Sequence, residues 1–278
     1  SAVDELEALF TPLSRAGTYS GLLFAADTAD PRHGALLQRV QERSSTIRNH
    51  VVFFELEWVA VDDATATRLL EHPALARRKH HLASARRYRP HVLSEPEEKL
   101  LEETANTGRR AFARLFDEHL GSLRFRLEHA GRVEELGEEE LLAKLHESDR
   151  TLRQAAAASR TEGLRSNART LGFVFNTLVQ DKAVSDRLRH YESPLTERHL
   201  ANETDAASVE ALLSACESRA GLVARYYRLK ARLLGLDVLE DFDRYAPIRS
   251  DEGMRSFDAA RRIVLDAYRD FSPRLSEI

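Results

Sequence analysis

Apolar residues recur at spacings of three and four along most of this chain, and a polypeptide patterned in that way folds into amphipathic helices. Leu37, Val40, Ser44, Ile47, Val51, Phe54, Trp58 and Val61 hold the spacing for more than three heptads, with Gln38, Arg39, Gln41, Glu42, Arg48 and Asn49 on other faces. Upstream, Leu6, Leu9, Leu13, Ala16, Ser20 and Leu23 form a second stripe, and Asp30-Pro31 through Gly34 supplies a turn between them. Two long helices joined by a short turn pack antiparallel, so the pattern predicts a hairpin with a coiled-coil-like seam and Trp58 buried within it. At ~1.5 Å per residue the second helix is on the order of 35 Å long, a projecting arm or a long wall.

The same spacing, punctuated by start and stop signals, continues downstream. Ser94-Glu95-Pro96-Glu97 is a capping-box start with proline in the first turn, for a helix running toward Asn106, and Thr107-Gly108 opens the next. Arg124 to Leu127 alternates with period two, and Gly131 separates it from Val133 to Leu136, which predicts one β-hairpin. Helices resume at Glu138 to Leu145 and from Asp149 to about Tyr191, with Gly163 and Gly172 as breaks in the longer one. Asp205 caps a long helix striped by Val209, Leu212, Leu213, Cys216, Ala220, Val223, Tyr227 and Leu234, and Gly235 stops it. A last helix runs from Ser256 to about Asp270, ahead of Pro273. The expected fold is all-α, mainly helical with a long antiparallel hairpin, and holds one small β-hairpin.

Composition narrows the function classes. A net charge of −4 with 31% charged residues means interspersed charges and no overall nucleic-acid footprint. No apolar run reaches the roughly 20 residues of a membrane span, and no basic-then-apolar leader opens the chain, so the expectation is a cytoplasmic protein without membrane or nucleic-acid partners. The lone Cys216 excludes an internal disulfide framework and a multi-cysteine zinc site, and its place on an apolar stripe predicts a buried structural thiol.

Motifs for chemistry are mostly missing. A zinc-binding helix needs two histidines one turn apart with a glutamate beside the first. His146-Glu147-Ser148-Asp149-Arg150 begins in that way, but Arg150 stands where the second histidine belongs and Asp149 reads as a helix cap. His80 and His81 point about 100° apart on a helix and read as surface residues. No G-x-S-x-G elbow, G-x-G-x-x-G turn or Walker loop is present, since the serine of Gly17-Thr18-Tyr19-Ser20-Gly21 falls one place too late. The Glu134-Glu135 and Glu138-Glu139-Glu140 clusters read as solvated faces and a helix N-terminus. One strip, Arg77-Arg78-Lys79-His80-His81 through Arg86-Arg87-Tyr88-Arg89, contains no acid. It either grips phosphates or covers a helix and pairs with Glu95, Glu97 and Glu98 or with a further part of the protein; the second reading is favoured because the strip is short and the chain as a whole acidic. No catalytic, cofactor-binding or metal-ligating residue is assigned.

A family resemblance extends over nearly the whole chain. Tyr226 to Leu234 with Gly235, then Phe242-Asp243-Arg244-Tyr245-Ala246-Pro247-Ile248, resembles the stretch ahead of the catalytic core in the oligoendopeptidase F family of zinc metallopeptidases. Phe24 to Pro31, Phe53 to Trp58, Tyr88 to Lys99, Thr107 to Asp117, Asp149-Arg150 with Arg153 and Ala156, Asn176, Asp186 to Arg189 and Ala201-Asn202 continue it in order. The resemblance implies three parts: an N-terminal helical hairpin with following helices over 1–108, an oligoendopeptidase F N-terminal-type helical domain with the β-hairpin over 109–185, and a helical start of the catalytic domain over 186–278. It implies an intracellular zinc metalloendopeptidase whose metal ligands and substrate-positioning residues follow Ile278, with oligopeptides as substrates and a catalytic part as partner. The chain itself then reads as an inactive fragment, cut at both ends, that walls the cleft and is prone to self-association. The alternative is a stand-alone helical binding module using the hairpin or the basic strip.

Overall fold

The computed structural model describes residues 2–248 and 255–277. Its helices are α1 Ala2–Ala26, α2 Pro31–Ala60, α3 Asp63–Leu70, α4 Lys79–Arg86, α5 Glu95–Ala105 and α6 Arg109–Ser122. Strands β1 Phe125–His129 and β2 Arg132–Leu136 follow, then α7 Glu138–Ala143, α8 Arg150–Ser166, α9 Ala168–Leu188, α10 Thr196–Ala201, α11 Ala206–Ser218 and α12 Ala220–Leu233. Helices α13 Phe257–Phe271 and α14 Pro273–Ser276 complete it. The fold is mainly helical with one two-stranded antiparallel hairpin.

Local chemistry sets most of the boundaries. Asp30 accepts from Arg32 N–H at 2.8 Å with Pro31 at the first helical position, so α2 starts there, and Gly34 lies inside its first turn, not in the loop. Ser94 N–H donates to Glu97 at 2.9 Å, completing the expected capping box. Asp149 and Asp205 cap α8 and α11 through bonds from Thr151 N–H and Ser208 N–H. Gly235, at φ +66°, closes α12 with Leu236 N–H bonded to Ala231 O, a Schellman stop that a side chain would strain. In the β-hairpin, His129 pairs with Arg132 across Ala130 and Gly131, both at positive φ, as a two-residue turn matched to strand twist requires.

Three expectations are corrected. The long helix from Asp149 breaks at Asn167, not at Gly163 or Gly172. Gly163 stays helical and allows β1 to pack close, since a Cβ there would sit 2.6 Å from the Phe125 ring. The Asp205 helix divides at Arg219 into α11 and α12, and Cys216 is exposed, as are its stripe neighbours Leu212, Leu213, Ala220 and Val223. A maleimide should therefore label Cys216 fully without denaturant; a thiol that reacts only on unfolding would contradict this exposure.

Trp58 is the third. It lies half-buried against α4, where its Nε1 donates to Leu82 O at 2.8 Å and the Arg86 guanidinium stacks 5.4 Å from its ring. The hairpin forms as expected and α1 packs on α2, but the buried positions are Ser20 and Phe24 on α1 and Gly34, Ser45 and Val59 on α2. Only Ser20 belongs to the stripes read from the sequence. Ser45 is buried because it donates to Glu102 on α5 and receives Asn106 and Arg110. Partial burial lowers the expected cost of Trp58→Ala to about 2 kcal/mol, beneath the ~3–5 of a fully buried aromatic. Urea unfolding of the variant checks this.

The best-buried apolar cluster lies in the middle of the chain. Phe125, Leu127, Leu141 and Ala156 pack the strand face against α7 and α8, with Leu123, Leu136, Leu145 and Leu152 around them.

Candidate functional site at the connector clamp

The loop after α12 crosses back onto the N-terminal end of α8, and buried charge fixes it there. Asp243 is fully buried. Arg153, also buried, donates Nη2 to Asp243 Oδ1 at 2.7 Å and spends Nη1 on the carbonyls of Glu147 and Ser148 at 2.8 and 2.9 Å. Arg150 forks onto the same carboxylate with Nε at 3.1 Å and Nη2 at 2.9 Å, and its guanidinium lies 5.3 Å from the Phe242 ring. Glu240 N–H completes the carboxylate's shell at 3.1 Å. One turn of α8 places Arg150 and Arg153 on the same side, so both reach one acid.

The electrostatics follow from this packing. Burial pushes the Asp243 carboxyl up, but the donors from Arg150, Arg153 and the Glu240 backbone outweigh it and hold the pKa at about 2. Lys230, buried on α12, donates to Arg244 O at 2.7 Å. Burial and the neighbouring Arg153 charge lower its pKa, with Asp243 opposing. The clamp thus joins α8, the connector and the end of α12.

This arrangement decides what the His146 segment can do. The His146 ring stacks on Tyr245 at 4.7 Å, and Arg150, standing where a second histidine would be needed, is committed to Asp243. These residues do not fit a zinc ion. Among the described residues no group of three or more His, Cys, Asp and Glu side chains is placed to hold a metal.

Arg78, His80, Arg86 and Arg89 of the basic strip are in ion pairs, though not with the acids expected. Arg78 reaches Asp4 and Glu7 on α1, Arg86 and Arg89 share Asp63, and His80 pairs with Glu203. Glu95 instead pairs with Lys99, Glu97 closes the Ser94 cap and Glu98 holds Arg189 at 2.7 Å.

A family model described as Oligopeptidase F matches residues 57–125. Group B oligopeptidase PepB of Streptococcus agalactiae is 26% identical over 212 residues, spanning 75% of this chain and 35% of that protein. The chain is thus similar to oligopeptidases of the oligoendopeptidase F family. Oligopeptidase PepF of Bacillus subtilis is 24% identical over 261 residues, 91% of this chain and 38% of its own length. The fold agrees with the crystal structure of oligoendopeptidase-F from Enterococcus faecium at a TM-score of 0.81 and 22% identity, covering 96% of this chain and 55% of that one. The chain spans only 35% and 38% of the length of these two curated relatives. The clamp residues Arg150, Arg153 and Asp243 are among the family marks in the sequence, but their mutual pairing is legible only once α8 and the connector are brought together.

No helix among the described residues is long and apolar enough to cross a membrane.

Proposed function

We propose that this chain forms non-catalytic framework of an oligoendopeptidase F-type zinc metallopeptidase, walling a cleft that admits short peptides and excludes folded proteins. The zinc ligands and the peptide-bond chemistry would lie in sequence outside these residues. One observation carries the reading: the helices flanking the clamp present apolar faces to solvent. Every residue from Glu210 to Tyr226 is exposed, among them Leu212, Leu213, Leu222 and Val223, and on α13 Phe257 and Phe271 are more than 80% exposed. Exposed apolar faces mark interaction surfaces, and the connector fixes the end of α12. The size limit on substrates would be steric, set by helical walls and not by a side-chain pocket.

Alone, the chain should bind a hydrophobic dye and self-associate as its concentration rises, with light scattering as the readout. A strict monomer that leaves the dye dark would count against the framework reading and favour a self-sufficient binding module.

A further inference from the structure

Helices α11 and α12 carry opposite charge. The only charged residues of α11 are Glu210 and Glu217, and those of α12 are Arg225, Arg228, Lys230 and Arg232. Lys230 is buried and donates to Arg244 O. Both glutamates and all three arginines are exposed and have no ion-pair partner among the described residues. Along its open side α12 borders a groove of about 850 Å³, lined by Leu222, Arg225, Tyr226, Leu229 and Arg232 with Leu236 beyond its end, and no other helix contributes to that lining. Arg219 alone joins the two helices, at φ −102° and ψ 2°. Antiparallel packing of neighbours needs a connection of about 2–5 residues, so α11 does not fold back onto α12. The pair runs on as one bent rod, roughly 40 Å long at ~1.5 Å per residue. The acids of α11 are therefore out of reach of the arginines of their own molecule, and a second copy can bring the two together.

The spacings match. On α11, Glu210, Leu213 and Glu217 follow one another at intervals of three and then four residues; on α12, Arg225, Leu229 and Arg232 follow at four and then three. Reversing the direction of one helix turns its order into that of the other. In the antiparallel register that sets Gly221 opposite its own copy, Glu210 faces Arg232, Leu213 faces Leu229 and Glu217 faces Arg225, with Val209 against Leu233 and Cys216 against Tyr226. Two-fold symmetry repeats the contact, so one register pairs all four glutamates with four arginines. Gly221 suits the axis, because a Cβ there would meet nothing within 4 Å and two backbones can approach over it. A polyanion would engage the arginines but leave the leucines between them in water, and it would give the α11 glutamates no partner.

We propose that α11 and α12 form a two-fold dimer interface, each copy laying its acidic α11 antiparallel along the basic, apolar face of the other's α12. Charge and spacing carry this pairing independently of the framework reading. Sedimentation equilibrium of the full chain tests it with two variants, Glu210→Arg with Glu217→Arg and Arg225→Glu with Arg232→Glu. All four positions are exposed, and circular dichroism melts that match the parent show that the variants fold. The parent is expected to dimerise, with a dissociation constant that rises with salt. Each variant alone should dimerise at least roughly tenfold more weakly, because like charges then face each other. An equimolar mixture of the two should restore the dimer, since the new arginines of one meet the new glutamates of the other. A parent that stays monomeric yet binds a hydrophobic dye overturns this proposal and leaves the framework reading standing, whereas a monomer that leaves the dye dark counts against both. A dimer indifferent to salt and to both reversals also overturns the pairing, as does association that appears only when polyphosphate is added.

Discussion

Asp243→Ala is expected to cost about 3–5 kcal/mol of unfolding free energy, because it leaves the Arg153 guanidinium buried with no counter-charge. That is a large share of the ~5–15 kcal/mol typical of a folded protein. Arg153→Ala should cost a similar amount. Arg150→Ala should cost less, since its side chain is 42% exposed and water can replace part of what it provides. Replacing both partners, Asp243→Leu with Arg153→Met, should destabilise less than either single change, as a buried pair costs desolvation that apolar substitutes do not. Urea unfolding of the four variants is the measurement; a double variant as unstable as the sum of the singles would show that the clamp is not one coupled unit.

The acid also makes stability depend on pH. The Asp243 carboxyl titrates at about 2 in the folded chain and near its ordinary value of 3.8 when unfolded. A folded-state pKa below the unfolded one means the unfolded chain binds the proton more readily. The clamp's contribution is therefore complete above pH ~4 and is lost as pH falls toward 2. In Asp243→Asn that part of the acid sensitivity should disappear.

Phe125→Ala carries the second large effect, about 3–5 kcal/mol, because Phe125 is 1% exposed at the centre of the cluster with Leu127, Leu141 and Ala156. The adjoining glycine gives a sharper test. Alanine is the better helix former by about 1 kcal/mol, so propensity alone makes Gly163→Ala stabilising. The 2.6 Å approach of its Cβ to a ring that cannot move aside reverses the sign, to a net cost on the order of 1–2 kcal/mol after overpacking. Combining Gly163→Ala with Phe125→Leu should recover part of that loss. A Gly163→Ala variant that melts higher than the parent would mean that β1 and α8 are not in close contact.

What could be read in the sequence was local. The caps at Ser94, Asp149 and Asp205, the turn at Asp30-Pro31, the Gly235 stop and the β-hairpin depend on residues a few positions apart, and each lies where its chemistry puts it. What escaped was set by partners distant in the chain. Ser45 lies off the stripe read from the sequence and is buried where Glu102 and Arg110 arrive from α5 and α6, and Trp58 turns to α4 because Leu82 O and Arg86 satisfy it there. Cys216 sits on a helical stripe that is apolar and yet uncovered, so periodicity alone mistook an exposed face for a core. Glycine was a poor guide to helix breaks: Gly163 is dictated by packing, while the chain bends at Asn167. The clamp shows the same division. Arg150 and Asp243 were visible as separate marks 93 positions apart, and only the fold makes them one site.

The central claim, that these residues frame a peptidase without performing its chemistry, is tested most directly by zinc content after dialysis together with cleavage of a quenched fluorescent peptide by the purified chain. The account predicts substoichiometric zinc and no turnover above buffer, with or without added metal. Stoichiometric zinc accompanied by metal-dependent hydrolysis would contradict it.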